Sequence, residues 1–505
     1  MPELAQAPAS PLPPALAPAL APARAGAQAR GRIPRSRCAS PLLAAAALAA
    51  TALTAADAGA AALPDGYLRG LRAAGIAEGA ASAVVVPLDG RGLEAALNRD
   101  VPRNPASTMK LLTTYAALRT LGPAYAWHTD IALLGQRDGD VVLGDLAVRG
   151  GGDPALVVEQ LWLLVQKVRG LGIREIRGDL VLDRSAFQLP PHDSGAFDGD
   201  ALRSYNVGPD ALLLNYKSVV YGFVPDPAAN TVRLTILPPL AGSKAPATVS
   251  ASAGACGDWR GKLRADFSRP FAPVFRGSFP LACGERNWSL SPIEPTAYFG
   301  AVFRALWESS GGSWSGKPRE GVAPAGTPLL AVHVSKPLSE VVRDINKYSN
   351  NVMAQHVYLT FGAERLGWPA SFARSETAMR GWLAEAGLPL PGLVLENGAG
   401  LSRIERISAG GLAALLVDAY RSPVMAELMA SLPVAGVDGT ATRRKGASGV
   451  AHLKTGLLND VRAIAGYVLA DSGRRYVVVA IVNDARAGGA QAAHDALLEW
   501  VRREG

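Results

Sequence analysis

Residues 104–112, NPASTMKLL, contain a serine and a lysine three positions apart, Ser107 and Lys110, at the predicted start of a helix. Side chains at this spacing lie on one helix face, so the Lys110 nitrogen can reach the Ser107 hydroxyl. A serine hydroxyl is a weak nucleophile until a neighbouring group takes its proton, and a lysine shielded from water can do so. The Asn-Pro-Ala turn fixes the start of the helix, and the two leucines after Lys110 bury it in a core. The stretch therefore predicts serine chemistry with a lysine base.

Two further motifs follow in order along the chain. Residues 349–351, SNN, lie in a predicted helical stretch, and they supply the hydroxyl of Ser349 and the amide of Asn351. Residues 454–456, KTG, stand at the mouth of a predicted strand. Each motif is common by itself, but the three together, each on a suitable element, indicate one catalytic site.

Composition and spacing exclude several other classes. The formal net charge is +8, and no run of basic residues interleaved with aromatics occurs, which argues against a nucleic-acid partner. The six histidines are scattered with no pair at metal-ligand spacing. No G-x-S-x-G segment supports a hydrolase built on serine, aspartate and histidine.

The first 58 residues have the layout of a secretory leader. A Pro/Ala-rich segment is followed by the basic stretch 30–37, the apolar run 41–55 and an A-x-A pattern that ends at Ala58. We expect cleavage near Ala58 and an exported, periplasmic protein; the alternative is an uncleaved anchor. No second apolar segment reaches 18 residues, so we expect no stable membrane span in the mature chain.

Cysteine usage fits an exported protein. Cys38 lies in the leader, and Cys256 and Cys283 form an even pair 27 positions apart. We expect a disulfide between them, which would contribute ~3 kcal/mol in the chain-entropy model. The alternative is two unrelated buried thiols.

Helical and strand patterns flank a middle region of short β-type runs. This order predicts an α/β (α+β) protein with one catalytic domain, residues 59–125 and 327–505, interrupted by a β-rich insertion at 126–326. Residues 223–290 form a possible nested subdomain, so the insertion would comprise one or two small domains.

With these three motifs the chain resembles the active-serine penicillin-recognising family of D,D-peptidases and β-lactamases. It is most similar to the low-molecular-mass class C penicillin-binding proteins, which are D-alanyl-D-alanine carboxypeptidases/endopeptidases. The 242 positions between Ser107 and Ser349 match the large insertion of that group. Further segments agree: GGDPAL (151–156), GDLVLDRSAF (178–187), YNVGPDALLLN (205–215), GAGLSR (398–403) and LPVAGVDGT (432–440).

One segment departs from the family pattern. Residues 396–400 read ENGAG, where the family more often has Asp-Gly-Ser-Gly. We expect this difference to affect a structural loop more than the catalytic elements. The resemblance implies a β-lactamase/transpeptidase-like fold, with an antiparallel sheet flanked by helices.

The resemblance also implies roles for the motif residues. Ser107 would be the acylated nucleophile and Lys110 its general base. Ser349 would relay a proton to the leaving group, and Asn351 would hold the substrate amide.

The KTG strand would bind the other end of the substrate. Lys454 and Thr455 would bind the terminal carboxylate. Gly456 and Leu457 follow them in the substrate-binding segment, and the backbone N–H groups of Ser107 and Leu457 would form the oxyanion hole. No metal or organic cofactor is implied.

The implied substrates are peptidoglycan stem peptides, from which terminal D-Ala is removed and in which D-Ala cross-links are cut. β-Lactams would be covalent inhibitors. An acidic residue of the insertion would grip the free end of a diaminopimelate side chain, and Asp200 or Asp198 are the candidates. Two solvated loop carboxylates are an equal alternative for this pair.

Two other functions stay open at this stage. A β-lactamase of class A needs a glutamate in an E-x-x-L-N segment, but the nearest match has Ala211 there. A catalytically weak wall-binding protein of the same fold is the other alternative, and the intact motifs argue against it.

Overall fold

The computed structural model describes residues 62–505, and the predicted leader, residues 1–58, lies outside the described residues. No helix within residues 62–505 is long and apolar enough to cross a membrane. The α-helices of this part of the chain are α1 (Asp65–Ala73), α2 (Lys110–Leu121), α3 (Val158–Gly170), α4 (Trp259–Leu263), α5 (Pro295–Ser309), α6 (Leu338–Tyr348), α7 (Asn351–Leu366), α8 (Phe372–Glu385), α9 (Ala409–Arg421), α10 (Met425–Ser431) and α11 (Gln491–Glu504).

The strands are short in the middle of the chain and longer near its end. They are β1 (Ala81–Pro87), β2 (Ala95–Leu97), β3 (Pro102–Arg103), β4 (His128–Asp138), β5 (Val141–Gly150), β6 (Glu175–Ile176), β7 (Leu180–Asp183), β8 (Val219–Asp226), β9 (Thr231–Leu237), β10 (Thr248–Ser252), β11 (Ala265–Asp266), β12 (Val274–Phe275), β13 (Ser278–Pro280), β14 (Arg286–Leu290), β15 (Ser313–Trp314), β16 (Pro318–Glu320), β17 (Leu329–Val334), β18 (Ile407–Ser408), β19 (Ala451–Leu458), β20 (Val461–Leu469) and β21 (Arg475–Asn483).

A five-stranded antiparallel sheet, in the order β19-β20-β21-β1-β2, carries the site described below. Every residue of β21 from Tyr476 to Val482 is buried. Because side chains alternate along a strand, this continuous apolar run faces two different cores. Val477, Val479 and Ile481 face one core, and Val478, Ala480 and Val482 face the other.

Helices cover both faces of this sheet. One core contains residues of α2 and α6 to α9, and the opposite core contains residues of α1 and α11. Helix α2 is buried from Lys110 to Leu118, so it lies inside the protein rather than on its surface. The predicted α/β fold, an antiparallel sheet flanked by helices, is therefore confirmed.

The β-rich middle of the chain forms separate sheets. Strands β4 to β7 and β15 to β17 make a seven-stranded sheet, and β8, β9, β10, β13 and β14 make a five-stranded one. Their apolar faces share one core with α3 and α5. The domain boundaries at residues 126 and 326, and the nested subdomain at 223–290, stay predictions.

The chain breaks its helix at Ser349, which corrects the expectation that residues 349–351 lie within a continuous helix. Helix α6 ends at Tyr348 and α7 begins at Asn351. Ser349 has φ 59° and ψ 35°, a left-handed conformation that is rare for a residue with a side chain. The Asn350 side chain accepts a hydrogen bond from the Met353 N–H at 3.1 Å and caps the new helix. Ser and Asn favour such breaks because their side chains compete for backbone groups.

The structure joins Cys256 and Cys283 in a disulfide with a Cα–Cα distance of 4.6 Å. Cys283 is buried in the core of the middle sheets, and Cys256 packs against the same core. The bond therefore closes a loop in the β-rich part of the chain.

We predict that Cys256→Ser/Cys283→Ser destabilises the β-rich middle by ~3 kcal/mol, because the unfolded loop regains conformational freedom. Hydrogen exchange should show lost protection in β8 to β14, with little change in β19 to β21. Mass mapping of non-reduced protein should show the two cysteines joined. Two free thiols in that material, or an equal loss of protection in both sheets, would contradict the prediction.

Candidate active site

Ser107 lies in a single 3₁₀ turn, Ala106–Met109, directly before α2. Ala106 has φ 45°, a strained value for a residue other than glycine. The Asn104 side chain accepts a hydrogen bond from the Ala106 N–H at 2.9 Å. The Asn104 backbone exchanges two hydrogen bonds, 2.8 and 2.9 Å, with the Asn483 side chain. The turn that presents Ser107 is thereby tied to the end of β21, and the predicted Asn-Pro-Ala turn is present.

Lys110 is fully buried and its nitrogen contacts three oxygens. Nζ lies 2.9 Å from Ser107 Oγ and 2.7 Å from Asn351 Oδ1, and it also donates to the Ala399 carbonyl. Burial lowers the pKa of Lys110 to about 7, and the charge of Glu405 partly opposes this shift. A pKa of about 7 makes the neutral amine accessible near neutral pH, and this form can accept the Ser107 proton.

The ENGAG loop lies against this lysine, which corrects the expectation that it bears little on the catalytic elements. Ala399 supplies a carbonyl to Lys110, and an ideal Cβ on Gly400 would lie 1.9 Å from the Ala106 carbonyl oxygen. The buried Glu405 carboxylate holds the loop, because one of its oxygens accepts the backbone N–H groups of residues 396, 397 and 398 at 2.9–3.2 Å. Burial raises the pKa of Glu405.

Ser349 and Lys454 form a second pair. Lys454 is fully buried, and its Nζ donates to Ser349 Oγ at 2.9 Å and to the Thr455 carbonyl at 2.8 Å. Burial and the nearby charge of Lys110 lower the pKa of Lys454 well below its ordinary value. Two lysines are thus held close together in a site that disfavours a second positive charge.

A cavity of about 840 Å³ opens beside these pairs. Ser107, Ser349 and residues 455–457 line it together, so the structure brings the three predicted motifs to one place. The Thr455 hydroxyl donates to Thr440 Oγ1 at 2.7 Å. Leu457 is 60% exposed at the edge of the cavity. Within residues 62–505 no group of three or more histidine, cysteine or carboxylate side chains is arranged to hold a metal ion.

Gly456 allows β19 to approach the nucleophile turn closely. An ideal Cβ at this position would lie 2.6 Å from the Pro105 carbonyl oxygen and 3.2 Å from the Ala106 Cβ. Strand β19 is also an edge strand of its sheet. The face of β19 at Gly456 therefore lies against the turn that carries Ser107, without a side chain at 456 to separate them.

Asn351 connects Lys110 to the loop that contains Tyr205. Its Oδ1 accepts from Lys110, and its Nδ2 donates to the Tyr205 carbonyl at 3.1 Å. An amide nitrogen has two hydrogens, so one donor is left for a substrate. Asn206, next to Tyr205, donates to the Asp198 side chain at 2.7 Å and to the Asp200 carbonyl at 3.0 Å.

The two candidate carboxylates of the insertion therefore lie on the loop that touches Asn351, but they do not line the cavity with Ser107. Asp200 is 44% exposed and pairs with Arg203 at 2.6 Å. Asp198 accepts the Tyr205 hydroxyl at 2.7 Å, and this hydrogen bond is the main reason that its pKa is lowered.

A second cavity, of about 500 Å³, lies between this loop and the ENGAG region. Its walls are mostly apolar, and the Arg403 guanidinium stands 4.3 Å from the ring centre of Phe197 inside it. Gln355, one turn along α7 from Asn351, also lines it, and the Gln355 Oε1 is buried without a hydrogen-bond partner in the described part of the chain. The cavity combines an apolar wall with a cation and a polar group, as small-ligand sites do.

Sequence reasoning missed several of these groups. The Ala399 carbonyl and the Thr440 hydroxyl reach the site only through tertiary contacts, although both belong to segments that carried the family resemblance. Arg403 lies in one of the same segments, but nothing in the sequence indicated that it would face Phe197.

An antiparallel sheet between two helical layers, with the Ser-x-x-Lys helix buried against it, defines the β-lactamase/transpeptidase-like fold. A family model and two relatives show what this chain is similar to. A model of the D-Ala-D-Ala carboxypeptidase 3 (S13) family matches residues 73–504. The D-alanyl-D-alanine carboxypeptidase of an Actinomadura species is 33% identical over an alignment of 442 residues that covers 82% of this chain and 79% of that one. The D-alanyl-D-alanine carboxypeptidase DacB of Haemophilus influenzae is 26% identical over an alignment of 394 residues that covers 75% of this chain and 80% of that one.

The fold has also been seen in a crystal. The structure of penicillin binding protein 4 (dacB) from Haemophilus influenzae superposes with a TM-score of 0.68 at 24% identity, covering 82% of this chain and 95% of that one. The same protein has been crystallised with a β-lactam. The chain belongs to the D-Ala-D-Ala carboxypeptidase 3 (S13) family, and it is a serine peptidase of the D-Ala-D-Ala carboxypeptidase class.

We predict that Gly400→Ala slows acylation by a labelled penicillin at least tenfold, because the new Cβ must push the Ala106 carbonyl and, with it, Ser107. The matched control is Gly90→Ala, which has a similar φ (+73° against +75°) but no atom within 4 Å. Both variants should lose about 1–2 kcal/mol of stability through the left-handed conformation, and Gly400→Ala should lose more because its Cβ also meets the Ala106 carbonyl. Unchanged acylation and equal stability losses would contradict the prediction.

Proposed function

We propose that the protein hydrolyses D-Ala-D-Ala ends of peptidoglycan stem peptides through an acyl-enzyme on Ser107. The 2.9 Å contact between Ser107 and Lys110 carries this proposal, because the lysine is desolvated enough to act as a base. The Lys110 nitrogen would take the hydroxyl proton as Ser107 attacks the carbonyl carbon of the penultimate D-Ala. Peptidoglycan lies outside the cytoplasm, so this function requires the export that the leader predicts.

The second pair would complete the proton path. Ser349 would pass its hydroxyl proton to the nitrogen of the leaving D-Ala, and the proton that Lys110 took from Ser107 would replace it, directly or through Lys454, whose Nζ lies 2.9 Å from Ser349 Oγ. The substrate carboxylate would bind at Lys454 and Thr455. A bound carboxylate favours the charged form of Lys454, so the substrate itself would restore the charge that burial disfavours. Lys110 would stay neutral until it takes the Ser107 proton.

Backbone groups would stabilise the tetrahedral intermediate. The N–H groups of Ser107 and Leu457 would form the oxyanion hole, and the missing side chain of Gly456 supports this by allowing the strand and the turn to approach each other. The remaining Nδ2 hydrogen of Asn351 would hold the substrate amide. Water would then hydrolyse the acyl-enzyme in the same site.

The donor strand would extend from Asn351 towards the second cavity. We propose that the side chain of the diamino acid enters it, with its carboxylate near Arg403 and its ammonium at the mouth towards Asp200, which does not line the cavity but whose backbone carbonyl accepts from the lining residue Asn206. The Asp200–Arg203 pair is exposed, and such pairs contribute only about 0–1 kcal/mol, so a ligand ammonium can replace Arg203. A site that holds a long side chain would also admit cross-linked strands, which supports endopeptidase activity.

Acylation tests the nucleophile and the base. Labelled penicillin should attach to Ser107, and Ser107→Ala should abolish labelling in folded protein. Lys110→Ala should slow acylation by about 100-fold or more. In the wild type the rate should rise with pH through a midpoint of about 7, because only the neutral amine accepts the proton. Label on another serine, or a rate that falls as pH rises through 7, would contradict the assignment.

Muropeptides test the cross-link activity and the role of Asp200. Purified dimers should be converted to monomers, and Asp200→Ala should reduce the rate on peptides with a free diamino-acid end about tenfold, or ~1.4 kcal/mol, relative to penicillin acylation. The control is Asp226→Ala, an exposed aspartate of the insertion away from both cavities. Removal of terminal D-Ala alone would refute the endopeptidase activity. Equal losses on peptide and penicillin would mean that Asp200 acts on folding.

A further inference from the structure

The cavity with Ser107 continues past the KTG segment into a region rich in arginine. Arg443, Arg444 and Arg462 line this part, together with Thr442 and Gln491. None of these residues belongs to the three motifs. We call this part of the cavity, defined by the three arginines, the arginine extension.

The arginine extension has more positive than negative charge. Arg444 pairs with Asp495 at 3.1 Å. Within residues 62–505 neither Arg443 nor Arg462 has a carboxylate oxygen within 4.0 Å. The Arg462 Nε is buried without a hydrogen-bond partner in this part of the chain, and its Nη2 donates only to the Gly488 carbonyl at 3.3 Å.

Burial and the charge of Arg444 lower the pKa of Arg462. His494 lies buried near both arginines, and burial and the two arginines lower its pKa well below the ordinary value. The histidine is therefore neutral and adds no counter-charge. Cations crowded together at the edge of a catalytic cavity are a feature of anion-binding sites.

The strand register places this charge on the leaving-group side. Leu457 and Arg462 are direct partners in the pairing of β19 with β20. Opposite residues of an antiparallel pair project from the same face, with their Cβ atoms about 4.5–5.5 Å apart. Leu457 and Arg462 both line the cavity, so the Arg462 side chain leaves the sheet just beyond the carboxylate site proposed at Thr455.

We propose that the arginine extension binds a second carboxylate of the leaving group. This inference rests on the proposed function, which assigns the first carboxylate to Lys454 and Thr455. A released D-Ala carries only that first carboxylate. A peptide strand released from a cross-link carries a further one at its own C-terminus, so the arginine extension would select cross-linked or otherwise dianionic leaving groups.

Peptides that differ only in the leaving residue test this. Substrates ending in D-Ala–D-Glu, D-Ala–D-Gln and D-Ala–D-Ala are compared by kcat/KM for release of the last residue. D-Gln has the shape of D-Glu without the second carboxylate. The wild type should prefer D-Glu to D-Gln about tenfold, and added salt should reduce this preference.

The variant Arg443→Gln/Arg462→Gln should lower the D-Glu preference to less than twofold, and Arg443→Lys/Arg462→Lys should keep most of it because the charge remains. Arg91→Gln, an exposed arginine outside the cavity, should keep the wild-type preference. No preference in the wild type, or an unchanged preference in the glutamine variant, would overturn the inference while D-Ala release upholds the proposed function. Absence of both D-Ala release and penicillin labelling would overturn the proposed function, and this inference with it.

Discussion

The rest of the site depends on the hydrogen bonds of one buried atom, the Lys110 nitrogen. It joins the nucleophile turn, the start of α7 and the ENGAG loop through Ser107, Asn351 and the Ala399 carbonyl. A buried ammonium with three oxygen partners is satisfied, yet burial moves its pKa to about 7 and makes proton loss easy. The three hydrogen bonds hold the nitrogen in place, and its burial makes it a base. The five-stranded sheet and its helical layers hold this lysine away from water.

The second lysine makes the electrostatics depend on substrate. Lys454 is buried near Lys110, and each disfavours a charge on the other while burial disfavours both. The Glu405 carboxylate favours charge on Lys110 but is itself buried, with a raised pKa. An incoming carboxylate would favour the charged form of Lys454 before that of Lys110, because Lys454 belongs to β19, the strand at which the anion would bind. The free site therefore lacks a negative counter-charge for its two lysines, which an anionic substrate would supply.

The sequence predicted those parts of the molecule whose signals are local. The burial of β21 on both faces follows from its continuous apolar run, and the Ser107–Lys110 contact follows from helical spacing. The break at Ser349 was missed, although Asn350 is a common helix cap, because the apolar periodicity continues through it. The contact of the Ala399 carbonyl with Lys110 could not be predicted, because every residue has a backbone oxygen and the sequence does not mark this one. The position of Arg462 opposite Leu457 could not be predicted either, because it depends on the register of two strands.

The two ends of the cleft differ in chemistry, which follows from the elements that build them. On the Asn351 side the wall comes partly from residues 189–209 and partly from α7 and residues 396–404, and most of its area is apolar, with Arg403 stacked on Phe197. On the Thr455 side the wall comes from β20, the 439–444 segment and α11, and it is cationic. A side chain with a long apolar stem and a charged end suits the first wall, and a flexible anionic strand suits the second. Because residues 189–209 contribute only to the first wall, changes in this segment can alter that wall while the second wall stays as β20, the 439–444 segment and α11 make it.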